Sequence, residues 1–186
     1  SNRITFVGAN GLTGIDFLEE VDGAFLNVGG VESKGVEASV SVDVGSHWNV
    51  YSALTVNDST YSGSTDETVA LDSVGITIDN KVAHSPEFQL VGTVSYFNDG
   101  VRAGVTAKNV GGRFGDFANV QRIPSFTLLD FWLGYTIEDT IPGIASVDVS
   151  LNITNITNER YLGSGTPGAY FLGAGRQGMA NLSLRF

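Results

Sequence analysis

No cysteine occurs in the 186 residues, so neither a disulfide framework nor a thiolate metal site can form. Basic residues are scarce as well. Ten Lys and Arg against twenty Asp and Glu leave a formal charge of −10. Nucleic-acid binding needs a basic face for the phosphates, and this composition argues against it. Proline is rare at 4 residues while glycine reaches 24, and Val, Thr, Ser, Phe and Tyr are plentiful. That balance is β-rich with many turns. No apolar run approaches the roughly 20 residues of a membrane helix, and no basic-then-apolar signal peptide opens the sequence. Hydropathy alone therefore reads the protein as soluble. A β-barrel span, however, shows only alternation, about ten residues at a time.

Alternation is what the chain has in quantity. Val36, Ala38, Val40, Val42 and Val44 alternate with Glu37, Ser39, Ser41 and Asp43. Phe88, Leu90, Val94 and Tyr96 oppose Gln89, Thr93 and Ser95; Val101, Ala103, Val105 and Ala107 oppose Arg102, Thr106 and Lys108. Leu129, Phe131, Leu133, Tyr135 and Ile137 oppose Asp130, Trp132 and Thr136, and Val147 to Ile153 repeat the pattern against Asp148, Ser150 and Asn152. A period of two is a strand, and no stretch shows a helical period. Connections alternate too: short near Ser46, Gly100 and Pro142, long over 59–86, 111–125 and 161–177. Short turns on one side and long loops on the other are the habit of an outer-membrane barrel. A soluble β-sandwich binding module, of adhesin or carbohydrate-binding type, is the alternative, since each of its sheets also has one polar face. The counter-face here is rich in Ser, Thr, Asn and Gln, which favours the wall of a wet lumen.

The chemistry-bearing patterns are thin. Gly173-x-Gly175-x-x-Gly178 has dinucleotide-loop spacing, but it leads into an alternating strand, not into the helix that would hold a pyrophosphate. The glycines read as loop. Two histidines, His47 and His84, form no grouping with Ser and Asp, so no catalytic residue and no enzyme is expected. Asp66, Glu67, Asp72 and Asp79 lack calcium-loop spacing and read as a solvated acidic loop. No metal or cofactor is expected. Trp48, Tyr96 and Tyr135 suit an aromatic girdle at the bilayer edge, whereas Trp132 faces inward by parity.

At the C-terminal end the residues resemble a known family. Asn155, Ile156, Thr157, Asn158, Glu159, Arg160 and Tyr161, then a glycine-rich loop, Arg176, and a last strand ending on Phe186, are similar to the final barrel strands of TonB-dependent outer-membrane receptors. Phe25, Asn27, Gly35, Val36 and Glu37, and later Arg113, Pro124 and Asp130, keep the family's order. The family often has Pro before the arginine; here it is Gly175.

The resemblance implies an all-β, antiparallel, up-and-down transmembrane barrel, this chain giving about eight C-terminal strands of a 22-stranded type. It places the protein in the outer membrane of a Gram-negative bacterium. The parent receptor would import a scarce nutrient such as a ferric siderophore, with residues 1–186 supplying barrel wall and outer loops. Asn155, Asn158, Tyr161 and Arg176 are the family-motif positions. Leu182, Leu184 and Phe186 form the C-terminal signal read by the barrel-assembly machinery, and they face lipid. The plug, the preceding strands and the TonB-interacting segment are absent from the sequence, which begins as though in mid-strand. Eight strands without neighbours leave two open edges, expected to pair between copies or to close into a small barrel.

Overall fold

A computed structural model of the chain describes residues 2–8, 23–63, 75–167 and 169–186. Twelve strands appear there: β1 (Asn2–Gly8), β2 (Gly23–Val44), β3 (Trp48–Ser62), β4 (Phe88–Asn98), β5 (Val101–Val110), β6 (Arg113–Phe114), β7 (Arg122–Ile123), β8 (Phe126–Ile141), β9 (Ile144–Thr154), β10 (Leu162–Thr166), β11 (Ala169–Leu172) and β12 (Gln177–Arg185). Eight of them make one antiparallel sheet in the order β1-β2-β3-β4-β5-β8-β9-β12. Every neighbour is a sequence neighbour once the loop hairpins β6–β7 and β10–β11 are set aside. That is an up-and-down wall.

The register carries the alternation across the sheet without a break. Val42 pairs with Val50, Val50 with Val94, Val94 with Val105, Val105 with Phe131, and Phe131 with Ile153. One residue away, Asn49 pairs with Ser95, Ser95 with Gly104, Gly104 with Trp132, and Trp132 with Asn152. Directly opposed residues share a face, so one face is an apolar band and the other is mostly polar. Leu182 opposite Val149 and Leu184 opposite Val147 extend the apolar face onto β12. Trp48, Tyr96 and Tyr135 lie on the apolar face near the short turns, with the Trp48 and Tyr96 rings 4.8 Å apart. Trp132 lies on the polar one.

The turns explain themselves. Asp99 and Gly100 both take positive φ, +43° and +80°, as a two-residue hairpin turn of the primed type requires. Pro142 and Gly143 (φ +83°) turn β8 into β9.

The apolar face is uncovered. Val36 is 69% exposed and Leu182 67%. Buried apolar side chains among the described residues are Tyr61, Ile76, Val82, Ala83, Val110 and Ile123. Tyr61, Ile76 and Val82 pack with Val31, Ile78 and Phe117 beneath the long loops. Among the described residues no second sheet covers the band, so the sandwich, which would bury its alternating face between two sheets, is not this fold. Two expectations need correction. Among the described residues β1 and β12 remain the two edges of the sheet, so of the two outcomes expected for the open edges, closure into a small barrel is not the one found. Closure would demand a tilt and stagger of their own. The first long loop also starts later than the pattern implied, because β3 runs on to Ser62.

Candidate functional site

Among the described residues no three His, Asp or Glu side chains gather as a metal site. Asp66, Glu67 and Asp72 lie outside those residues. Polar side chains gather in three places: on the inner wall, in the turn after β9, and among the interlocked long loops.

The inner wall is organised by glycines. Arg102 donates from Nη1 to Thr136 Oγ1 at 2.8 Å and from Nη2 to Asp148 Oδ2 at 2.6 Å; Thr136 donates to the same carboxylate oxygen at 2.8 Å. Arg102 lies flat across Gly134, where a Cβ would stand 2.6 Å from its Nε. Trp132 covers Gly104 in the same way, with a Cβ there 2.6 Å from the indole. Small residues thus let large polar and aromatic side chains lie along the wall. Thr93 and Thr106 hydrogen-bond at 3.0 Å beside them.

The turn after β9 gathers Asn155, Asn158, Tyr161 and Arg176, the four positions singled out by resemblance. Asn155 comes directly after β9 with φ +50° and Asn158 has φ +54°, the left-handed region that Asn tolerates better than most residues. Asn155 is 3% exposed and saturated with partners. Its N–H donates to Asp130 Oδ1 at 2.8 Å; its Nδ2 donates to Glu159 O at 2.9 Å and Ala174 O at 3.0 Å. Its Oδ1 accepts the Glu159 N–H at 2.8 Å. Asn158 Oδ1 accepts the Arg176 N–H at 3.0 Å, and Arg176 Nη1 reaches Ile156 O at 3.4 Å. Tyr161 stacks on Phe126 with centroids 4.3 Å apart and fills the space above Gly173. The glycines of the nucleotide-like spacing now have roles. Gly173 makes room for Tyr161, and a Cβ on Gly175 would sit 3.2 Å from Asn158 Oδ1. Leu182, Leu184 and Phe186 take no part here; they belong to the exposed C-terminal strand and the residue after it.

The long loops are tied to one another. Arg113, 7% exposed, donates from Nη2 to Leu162 O at 2.7 Å and Gly163 O at 2.6 Å, fastening the 111–125 loop to the 155–176 loop. Burial pushes the Arg113 pKa down, yet a guanidinium stays protonated. His84, with φ +62°, donates its N–H to Phe114 O at 2.7 Å. Its ring lies 5.9 Å from that of Tyr170, whose hydroxyl bonds Gln121. Asn119 exchanges two bonds with the backbone of Lys81, at 2.7 Å and 2.9 Å. Hydrogen bonds from Lys81 first to Asp58, then to Glu87, hold its ammonium pKa above the ordinary value. In the sequence Arg113 stands out only for its order in the chain, and His84 has no role. Neither burial nor a bond to a distant carbonyl leaves a local trace in sequence.

An open antiparallel wall with an apolar outer band, a polar inner face, short turns at one end and interlocked loops at the other defines a class: the outer-membrane β-barrel. Comparison with known proteins narrows it. Residues 1–156 match the model for the TonB dependent receptor-like β-barrel, and the chain belongs to that family. The Ferrioxamine B receptor of Salmonella typhimurium (strain SL1344) is 26% identical over 180 residues, covering 94% of this chain and 24% of that protein. The Ferrichrome outer membrane transporter/phage receptor of Escherichia coli (strain K12) is 27% identical over 180 residues, covering 92% of this chain and 22% of that protein. Among solved structures, the siderophore receptor PiuA from Acinetobacter baumannii has a TM-score of 0.65 at 22% identity, over 85% of this chain and 22% of that one. The ferric yersiniabactin uptake receptor FyuA from Yersinia pestis has the same TM-score at 19% identity, over 88% of this chain and 25% of that one. These two likenesses speak for the fold. The chain spans about a quarter of the length of the curated relatives it matches. Its family is one of outer-membrane receptors that work with TonB, not a family of enzymes.

Proposed function

We propose that residues 1–186 supply barrel wall and outer loops to a receptor that imports a ferric siderophore, or a similar scarce chelate, across the outer membrane. The observation that carries this reading is family membership joined to the cargo in the names of two relatives, ferrioxamine B and ferrichrome. It implies the remaining parts. The plug and the earlier strands of the receptor lie outside residues 1–186, and energy reaches the barrel through a TonB-contacting segment that also lies outside them. The chain performs no catalysis of its own. Leu182, Leu184 and Phe186 present the strand that the barrel-assembly machinery engages, while Asn155, Asn158, Tyr161 and Arg176 set the base of the last outer loop. Outer-membrane lipid covers the apolar band.

The test is uptake of radioactive iron by the intact receptor in cells deprived of other iron routes. Ferric hydroxamate and ferric catecholate chelates are supplied in turn. Deleting the gene should abolish uptake of at least one chelate, and loss of TonB should do the same. Unchanged uptake of every chelate in the deletion strain would refute the reading.

A further inference from the structure

The apolar outer face is not uniform. A groove of about 370 Å³ lies on it near the short turns, lined by Trp48, Val94, Tyr96, Ala103, Val105 and Phe131. The register explains it. Trp48 pairs with Tyr96, Tyr96 with Ala103 and Ala103 with Leu133, so a single methyl stands in a row of large side chains. Trp48 leans on Tyr96, with ring centroids 4.8 Å apart and planes at 57°, and Phe131 walls the side toward β8. Polar groups gather at the turn end instead. The His47 ring lies 5.9 Å from that of Tyr96, and Ser46 Oγ sits 3.3 Å from His47 Nδ1, which leaves Nε2 available to donate. The Phe97 N–H donates to His47 O at 2.8 Å and so joins the β2–β3 turn to the end of β4. Asp99 follows in the β4–β5 turn, exposed and without an ion pair among the described residues. Neither turn contains Lys or Arg, and the nearby Arg102 lies on the lumen face, bound to Asp148 at 2.6 Å.

The short turns of such a barrel face the periplasm, so the groove opens on the periplasmic leaflet, and amphipathic aromatic rings belong at that depth. A trough with an apolar floor suits an acyl chain. At its polar end an imidazole N–H suits a phosphate oxygen, and an unpaired carboxylate suits an ammonium. With no cation beside it, the same carboxylate repels a headgroup of net negative charge. We propose that this groove binds one acyl chain of a zwitterionic aminophospholipid, with the lipid phosphate at His47 and its ammonium at Asp99. This inference rests on the reading of the chain as barrel wall and is independent of the cargo.

The experiment places the intact receptor in phosphatidylcholine vesicles with a trace of phospholipid whose acyl chain carries a photoreactive diazirine. Its headgroup is either ethanolamine or glycerol, and peptide mass spectrometry locates the cross-links. The ethanolamine lipid should label Val94, Ala103 and Val105 about fivefold more than the outward residues Val149 and Leu182, the upper worth of one exposed ion pair. The glycerol lipid should label both sets alike. Ala103→Leu fills the groove and should remove the excess. Asp99→Asn keeps a residue that tolerates the positive φ of the turn; it and His47→Ala should each reduce the preference for ethanolamine while labelling of Val149 and Leu182 persists. Groove labelling no denser than at Val149 and Leu182, or equal for the two headgroups, would overturn the inference while leaving the wall in lipid. Failure of both lipids to label any outward residue would remove the wall reading and this inference together.

Discussion

Leu133 is the position at which the wall assignment is most exposed to refutation. It is the middle of five apolar residues that β8 presents on the outer face: Leu129, Phe131, Leu133, Tyr135 and Ile137. It lies four positions from either end of that run. At about 3.3 Å per residue this is ~13 Å along the strand, or ~10 Å along the membrane normal at a tilt near 40°. The run thus spans ~20 Å of an apolar band about 25 Å tall, with Leu133 near its midplane. An arginine there loses hydration with nothing to pair with, at about 2–4 kcal/mol. That is roughly a 30- to 900-fold shift in the folding equilibrium. Asn152, only one pairing row away, faces the lumen opposite Trp132 and Met179. Asn152→Arg should cost under about 1 kcal/mol, as for an accessible polar position. The assay is urea unfolding of the intact receptor refolded into lipid vesicles, with each variant beside the parent. If Asn152→Arg loses as much as Leu133→Arg, the two faces do not differ as a lipid face and a lumen face must, and the barrel reading fails.

Three further outcomes are expected. Cysteines at Ser46 and Gly143, in the short turns, should resist an impermeant thiol reagent on intact cells, whereas cysteines at Val120 and Ser164, in the long loops, should react; mixed labelling within either pair would contradict the topology. Asn155→Gly keeps the left-handed backbone accessible but removes three side-chain bonds, so it should lower stability by about 1–3 kcal/mol and speed proteolytic nicking of the 155–176 loop. A loss confined to Asn155→Ala would instead assign the effect to backbone strain. In a Trp48→Phe background, Gly104→Ala should shift Trp132 fluorescence, because the new Cβ would stand 2.6 Å from the indole, and should cost about 1–3 kcal/mol by overpacking; an unchanged spectrum would mean Trp132 does not lie on Gly104.

The wall was legible in the sequence because a strand with one face in lipid and one in water writes its geometry at a period of two. Val36 to Val44 and Leu129 to Ile137 needed nothing else, and a one-residue slip in either would have exchanged the faces. The turns were legible from Asp99-Gly100 and Pro142-Gly143 for the same local reason. The hairpins β6–β7 and β10–β11 were not. Their two to five residues carry no pattern of their own, and they exist because one loop packs on another, as Arg113 does on Leu162 and Gly163. Gly104 and Gly134 were equally silent: each is explained by a side chain some 30 residues away in sequence, Trp132 in one case and Arg102 in the other. The motif residues Asn155 and Arg176 could be singled out by resemblance, but their partners emerge only in three dimensions.

The turn after β9 joins the wall to the last long loop. Asp130 belongs to the inner wall of β8, and its carboxylate receives the Asn155 N–H. Asn155 in turn holds Glu159 and Ala174, at the two ends of the last long loop. Asn158 then takes the Arg176 N–H, one residue before β12 begins. One chain of bonds therefore runs from the lumen face, through the loop base, to the start of the terminal strand. A loop anchored at only one end would be free to swing about it, and the Arg113 bridge to Leu162 and Gly163 would have no fixed partner. Because both ends are tied at Asn155, the loop that Arg113 grips is fixed to Asp130 on the wall. An Asp130→Asn substitution offers a neutral acceptor for the same N–H and should leave the loop in place. Asp130→Ala removes the acceptor and should loosen the loop as Asn155→Gly does, which protease nicking of the intact receptor would reveal. Equal nicking of Asp130→Ala and the parent would show that the loop base stands without the wall.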